Sequence, residues 1–268
     1  MQTVQWNHLT VSRLILGSNP FSGFSHQSPQ TDWDMRRFFT SARIKETLRQ
    51  AEAVGVNTLL ARTDYHVMRM LLEYREEGGA LQWFAQTCPE VGSHVACIQR
   101  AHAYGAVACH LHGGVMDNAY AQGKLDDVQP ALDLARSKGM LAGIAAHNHH
   151  VIEWAERNLD LDYYLCCYYN PSRRDERPEH IPGVSEVYLE ADRQVMTDLI
   201  QTLSKPVVHY KIMAAGRNDP GEAFAYAASR MRPQDIVCVG VYPKDKPDML
   251  AEDARLLEES LEAVALVI

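Results

Sequence analysis

A (β/α)8 barrel is the fold the sequence predicts, on three observations. Eight short apolar runs are spread along 268 residues. Each run is followed by a stretch with helical periodicity, the pattern of a parallel α/β protein. No break in composition divides the chain, so one barrel domain over residues 1–268 is expected, close to the roughly 250 residues usual for such barrels. An open doubly wound sheet would favour a glycine-rich phosphate turn after the first strand, and Gly17-Ser18-Asn19-Pro20 is not GxGxxG.

The predicted strands, in order, are Leu14–Gly17, Asn57–Ala61, Leu81–Gln86, Ala106–Leu111, Leu141–Ala146, Asp162–Cys167, Pro206–Ile212 and Ile236–Val241. The first helix reads from SARIKETLRQAEAVG, where Ile44, Leu48 and Ala51 share a face and Gly55 ends the run. HVMRMLLEYREEGG, ACIQRAHAYG, VQPALDLARSKG, VIEWAERN, ADRQVMTDLIQTLSK, EAFAYAASRM and DMLAEDARLLEESLEAV continue the alternation. Two connections are long, about residues 18–40 and 171–190. Both are expected over the C-terminal mouth, and the second reads either as a lid or as a decorative loop.

Hydrophobic residues make up 46% of the chain and charged residues 22%, which excludes a disordered or collagen-like polymer. The net charge of −8 argues against a nucleic-acid partner. No apolar run reaches the roughly 18 residues of a membrane helix, and MQTVQWNHLTVSR has no apolar signal core. A cytoplasmic protein with reduced cysteines and a small-molecule substrate is expected; six cysteines occur without a CxxC pair. Oligomeric state is left open.

The strand ends carry the chemistry. Strand two ends in Arg62-Thr63-Asp64-Tyr65-His66 and strand three in Gln86-Thr87-Cys88-Pro89-Glu90. Strand four carries His110 and His112, strand five runs into His147-Asn148-His149-His150, and strand seven carries His209, Tyr210 and Lys211. Side chains alternate along a strand, so His110 and His112 share a face, as do His209 and Lys211. Glu90, His112 and His147 are candidate ligands for a divalent cation, zinc, manganese, iron or nickel, with open positions for substrate. Asp64 or His66 would move a proton, Tyr65 would act as acid or orienter, and Lys211 would steady an oxyanion. After strand seven, Asp219, Pro220 and Glu222 form a helix-capping signature, with Arg217, Lys244 and Lys246 as candidate phosphate contacts.

These stretches resemble the aldo-keto reductase family along nearly the whole chain. VQWNHLTVSRLILGSNPFSG is similar to that family's floor hairpin and first strand, GVNTLLARTDYH to its second strand, and VACHLHGG to its fourth. GIAAHNHHVIEWAE, CCYYNP, VVHYKIMAAG and VCVGVYPKDKPDMLAED resemble the later strands and the final helix. The resemblance implies a barrel with an N-terminal floor hairpin and an NADP cofactor. It places Asn148 and Tyr210 at the nicotinamide and Lys244 and Lys246 toward the adenosine end. Tyr65 and His112 match the catalytic tyrosine and histidine. Leu60 stands at the aspartate position, Gln86 at the lysine and Cys166 at the nicotinamide-contacting glutamine. Leucine and glutamine cannot depress a phenol's pKa as an aspartate–lysine pair does. Non-redox lyase, isomerase or hydrolase chemistry on a sugar-like or carbonyl substrate, with metal assistance, is therefore the leading expectation. An NADPH-dependent reductase with an altered tetrad is the alternative.

Overall fold

The computed structural model describes residues 1–173 and 186–266. The chain opens with an antiparallel hairpin, β1 (Thr3–Trp6) and β2 (Leu9–Ser12), registered Thr3 to Ser12 and Trp6 to Leu9. The hairpin expected at the floor is therefore present.

Eight parallel strands then close into a barrel among the described residues. They are β3 (Leu14–Gly17), β4 (Thr58–Arg62), β5 (Gln82–Gln86), β6 (Ala108–Leu111), β7 (Leu141–Ala146), β8 (Tyr163–Cys167), β9 (Val207–Tyr210) and β10 (Ile236–Val239), in the closed order β10-β3-β4-β5-β6-β7-β8-β9. The predicted class is the observed one. Among the described residues no helix is long and apolar enough to cross a membrane.

Helices fill the connections: α1 (Pro29–Phe38), α2 (Ser41–Ala53), α3 (Tyr65–Glu76), α4 (His94–Ala103), α5 (Gly113–Ala121), α6 (Gln129–Ser137), α7 (His149–Asn158), α8 (Glu190–Ile200), α9 (Pro220–Arg230) and α10 (Met249–Ala265). The connection over residues 18–40 is not a bare loop. It contains a short 3-10 turn, Asn19–Ser22, and α1, whose first turn is capped by the Ser28 hydroxyl accepting from Thr31 N. Most of the predicted lid, residues 174–185, lies outside the described residues.

The contacts group into two compact units. One comprises Met1–Ala61, Tyr65–Trp83 and Ile212–Ile268; the other comprises Arg62–Asp64 and Phe84–Lys211. In the first, α9 begins as its sequence predicts: Asp219 Oδ1 accepts from Glu222 N at 3.0 Å, with Pro220 at the first helical position. Arg217 donates to Ala214 O and His26 O, so it clasps two loop segments together. Lys246 pairs with Glu252 at the start of α10.

In the second unit the strand register explains the interior. His110, Gly143 and Tyr163 are partners across β6, β7 and β8. A Cβ on Gly143 would lie 2.8 Å from the Tyr163 ring and from its carbonyl oxygen. The missing side chain therefore lets the ring lie across β7, where its hydroxyl stands 3.4 Å from His110 Nδ1. Burial pushes the His110 imidazole down to about 3, so it is neutral at ordinary pH.

Candidate functional site

The polar groups of the second unit gather around His112 and His147. His112 ends β6 and occupies the N-cap position of α5; its backbone N donates to Thr87 Oγ1 at 3.0 Å. Its Nδ1 is buried and has no hydrogen-bond partner among the described residues. Burial first, then the neighbouring His147, push this imidazole down to about 4, while Glu90 and Asp117 pull the other way. His112 is thus a neutral ring at ordinary pH, with an unsatisfied nitrogen in a polar setting.

His147 follows β7. Its Nδ1 lies 2.8 Å from Asp117 Oδ2, and its backbone N donates to the same carboxylate at 3.2 Å. Asn148 N also donates to Asp117 Oδ1 at 3.2 Å. The Asp117 residue is 1% exposed, and these three N–H groups compensate its buried charge. An ionised carboxylate only accepts, so Nδ1 of His147 carries the proton and Nε2 is the basic nitrogen. The Tyr210 ring meets that of His147 edge-on, with centroids 6.3 Å apart.

A second cluster surrounds Arg62. Its Nη2 lies 3.1 Å from Glu90 Oε2 and 2.7 Å from Cys88 Sγ, and its Nε lies 3.4 Å from Asp64 Oδ2. Cys88 Sγ donates to Glu90 Oε2 at 3.0 Å. Burial acts to lower the guanidinium's pKa, but Cys88, Glu90 and Asp64 together raise it. Partial burial acts to raise the Glu90 carboxyl, and hydrogen bonds from Cys88 and Arg62 hold it below its usual range. Burial and Glu90 push the Cys88 thiol up to about 12, which removes it as a thiolate nucleophile.

A cleft of about 50 Å3 is lined by His147, His149, Asn170, Arg173, Asp192 and Met196. Arg173 Nη1 lies 3.0 Å from Asp192 Oδ1 on α8. The lining is polar on most sides and has room for a few heavy atoms.

The residues expected at the site fall in different places. Glu90, His112 and His147 do not present three ligand atoms to one ion. Glu90 turns to Arg62 and Cys88, and His147 Nδ1 turns to Asp117. Tyr65 is the first residue of α3 and is 66% exposed; His66 beside it is also exposed. Both leave the strand line because β4 stops at Arg62 and a helix begins three residues later. Asp64 pairs with Arg62. Lys211 is outside β9, in a left-handed backbone with φ +59°, so strand alternation no longer relates it to His209. His209 pairs in register with Cys166, on the face of Tyr164, whose hydroxyl donates to Glu156 of α7. It therefore faces the helices, where its Nδ1 lies 2.9 Å from the Tyr168 hydroxyl.

Three of the four expected cofactor contacts have protein partners of their own. Asn148 Oδ1 caps α7 by accepting from His150 N, the Tyr210 hydroxyl hydrogen-bonds with Cys167, and Lys246 is engaged by Glu252. Lys244 is exposed.

Sequence reasoning missed Asp117 and the Arg173–Asp192 pair. Asp117 carried one signal: a carboxylate on the same helical face as Gly113 and Met116, both buried.

No protein-family model matches the sequence, and no curated protein matches it. Solved structures share its fold. A putative aldo-keto reductase from Pseudomonas aeruginosa is 14% identical, with a TM-score of 0.65 over 97% of this chain and 95% of that one. The holo form of aldo-keto reductase AKR11C1 from Bacillus halodurans is 12% identical, with a TM-score of 0.61 over 99% and 95%. A truncated 3-deoxy-D-arabino-heptulosonate 7-phosphate synthase from Thermotoga maritima is 10% identical, with a TM-score of 0.57 over 99% and 93%. The chain has an aldo-keto-reductase-like barrel, and identities this low carry the fold alone.

Proposed function

We propose that the protein is an enzyme acting on a small, polar, sugar-like or carbonyl substrate by proton transfer, in lyase, isomerase or hydrolase chemistry. The single observation that carries this reading is the His147–Asp117 pair at 2.8 Å, with its carboxylate buried. Asp117 fixes the ring and its tautomer, and Nε2 of His147 takes a proton from substrate or water. Neutral His112 hydrogen-bonds a substrate oxygen without carrying full charge, a role that suits a lowered imidazole pKa. Arg62 holds Glu90 and Asp64 in place and offsets part of their charge. Asn170 and Arg173 present polar groups to the oxygenated end of the substrate.

The absence of the family's aspartate and lysine, with Leu60 and Gln86 in their places, favours non-redox chemistry. So does the outward turn of Tyr65. The test is a turnover screen of aldoses, sugar acids and keto acids without added nucleotide, on wild type and His147→Ala. Turnover abolished by the substitution supports the reading; turnover that survives it sinks it.

A second reading, an NADPH-dependent carbonyl reductase with an altered tetrad, is favoured by the barrel's likeness to reductases and by Tyr210 beside His147. Tryptophan fluorescence during NADPH titration separates the two. Saturable quenching supports the reductase, and no change at millimolar NADPH removes it.

A further inference from the structure

We propose that the first turn of α7 is a binding site for a divalent transition-metal ion, with His149, His150 and Glu153 as ligands. The site is distinct from the His147–Asp117 pair and does not depend on the proton-transfer reading. One ligand atom from each of the three residues lies within 4.8 Å of the other two, and no other trio of His, Cys, Asp or Glu among the described residues does this. His150 Nδ1 and Glu153 Oε2 are 3.3 Å apart. Two donors about 2.0–2.2 Å from a tetrahedral zinc ion are separated by about 3.3–3.6 Å, so this pair already stands at coordinating distance.

The sequence builds the arrangement locally. In HNHHVIE, His149 and Glu153 are four apart and His150 and Glu153 three apart, which are the spacings that bring side chains together on a helix. Asn148 fixes the turn by accepting from His150 N at 3.0 Å, so the backbone of both histidines is set before an ion arrives. The imidazole centroids are 3.9 Å apart. Two such rings repel when both are protonated and cooperate when both are neutral ligands. The positive end of the helix opposes a cation, and the Glu153 carboxylate offsets it.

The donor set also selects the ion. Two imidazoles and one carboxylate suit zinc, cobalt, nickel or copper, whereas magnesium and calcium prefer all-oxygen sites. Three protein ligands leave a position for water or an oxygen donor from a ligand. His149 also lines the cleft with His147, Asn170 and Arg173, so the ion stands at the edge of that cleft.

The test uses the full chain stripped with EDTA. It is titrated with zinc chloride by calorimetry and with cobalt chloride by visible absorption. The expected result is saturation near one equivalent, with affinity weakened at least about tenfold in His149→Ala and in Glu153→Gln. Circular dichroism melts of both variants should stay close to wild type, because neither side chain is buried. Absence of saturable binding by wild type overturns the proposal. So does unchanged affinity in both variants, or loss of binding in Glu90→Gln or His112→Ala with His149→Ala unaffected. None of these readouts involves turnover, so failure here and failure of the proton-transfer reading are separable.

Discussion

Asp117 reaches His147 from a helix that the strand-end pattern never advertised, and its carboxylate accepts from both Nδ1 and the backbone N of that residue. Replacing it with asparagine keeps the shape but removes the charge that sets the tautomer. Asp117→Asn is expected to lower kcat by about 10²- to 10⁴-fold with little change in KM. Steady-state kinetics on the substrate found in the screen checks this. An unchanged kcat would remove Asp117 from the mechanism.

His112 makes stability depend on acid. Its imidazole is lowered to about 4 from the usual 6.5. The unfolded chain therefore binds the proton first, so this contribution is complete above about pH 6.5 and is lost as pH falls toward 4. The loss is roughly 2–3 kcal/mol. Urea unfolding of wild type and His112→Gln at pH 7 and pH 4.5 checks it: the variant should lose less stability on acidification.

Asp253 acts in the opposite sense. On α10, burial and then Glu252 raise its carboxyl to about 7 from 3.8. The folded state holds the proton longer, so stability present below about pH 4 is lost as pH rises to 7, by up to about 4 kcal/mol. Asp253→Asn should be more stable than wild type at pH 8 and similar at pH 4. Equal melting temperatures at pH 8 would refute this.

Gly143 is required by its neighbour. A methyl group there meets the Tyr163 ring and carbonyl oxygen at 2.8 Å. Gly143→Ala is expected to cost about 1–3 kcal/mol in chemical denaturation. The double variant Gly143→Ala/Tyr163→Phe should not recover it, because the clash involves the ring and backbone and not the hydroxyl.

Most of the barrel was legible because buried parallel strands are short apolar runs between turn residues. Leu14–Gly17 and Leu141–Ala146 are read to the residue. The seventh predicted strand, Pro206–Ile212, ran too far, since apolar Ile212 masks a turn made by the left-handed backbone of Lys211. That overrun also tied Lys211 to the face of His209 by an alternation that stops at Tyr210. Helix α5 was missed because it starts with Gly113 and Gly114, weak helix formers, and its N-cap makes no side-chain bond. With it went Asp117. His112 and His147 were legible as histidines at adjacent strand ends. The partners that give them chemistry come from a helix and from loop residues, where sequence spacing sets no distance.

The aim of the His147 ring is set by where α5 lies against β7, through a carboxylate one helical turn from the start of α5. Sliding that helix by a fraction of an ångström would rotate the imidazole without altering any strand. Under the proposed proton transfer, substitutions at the back of α5 would retune His147 without touching a substrate.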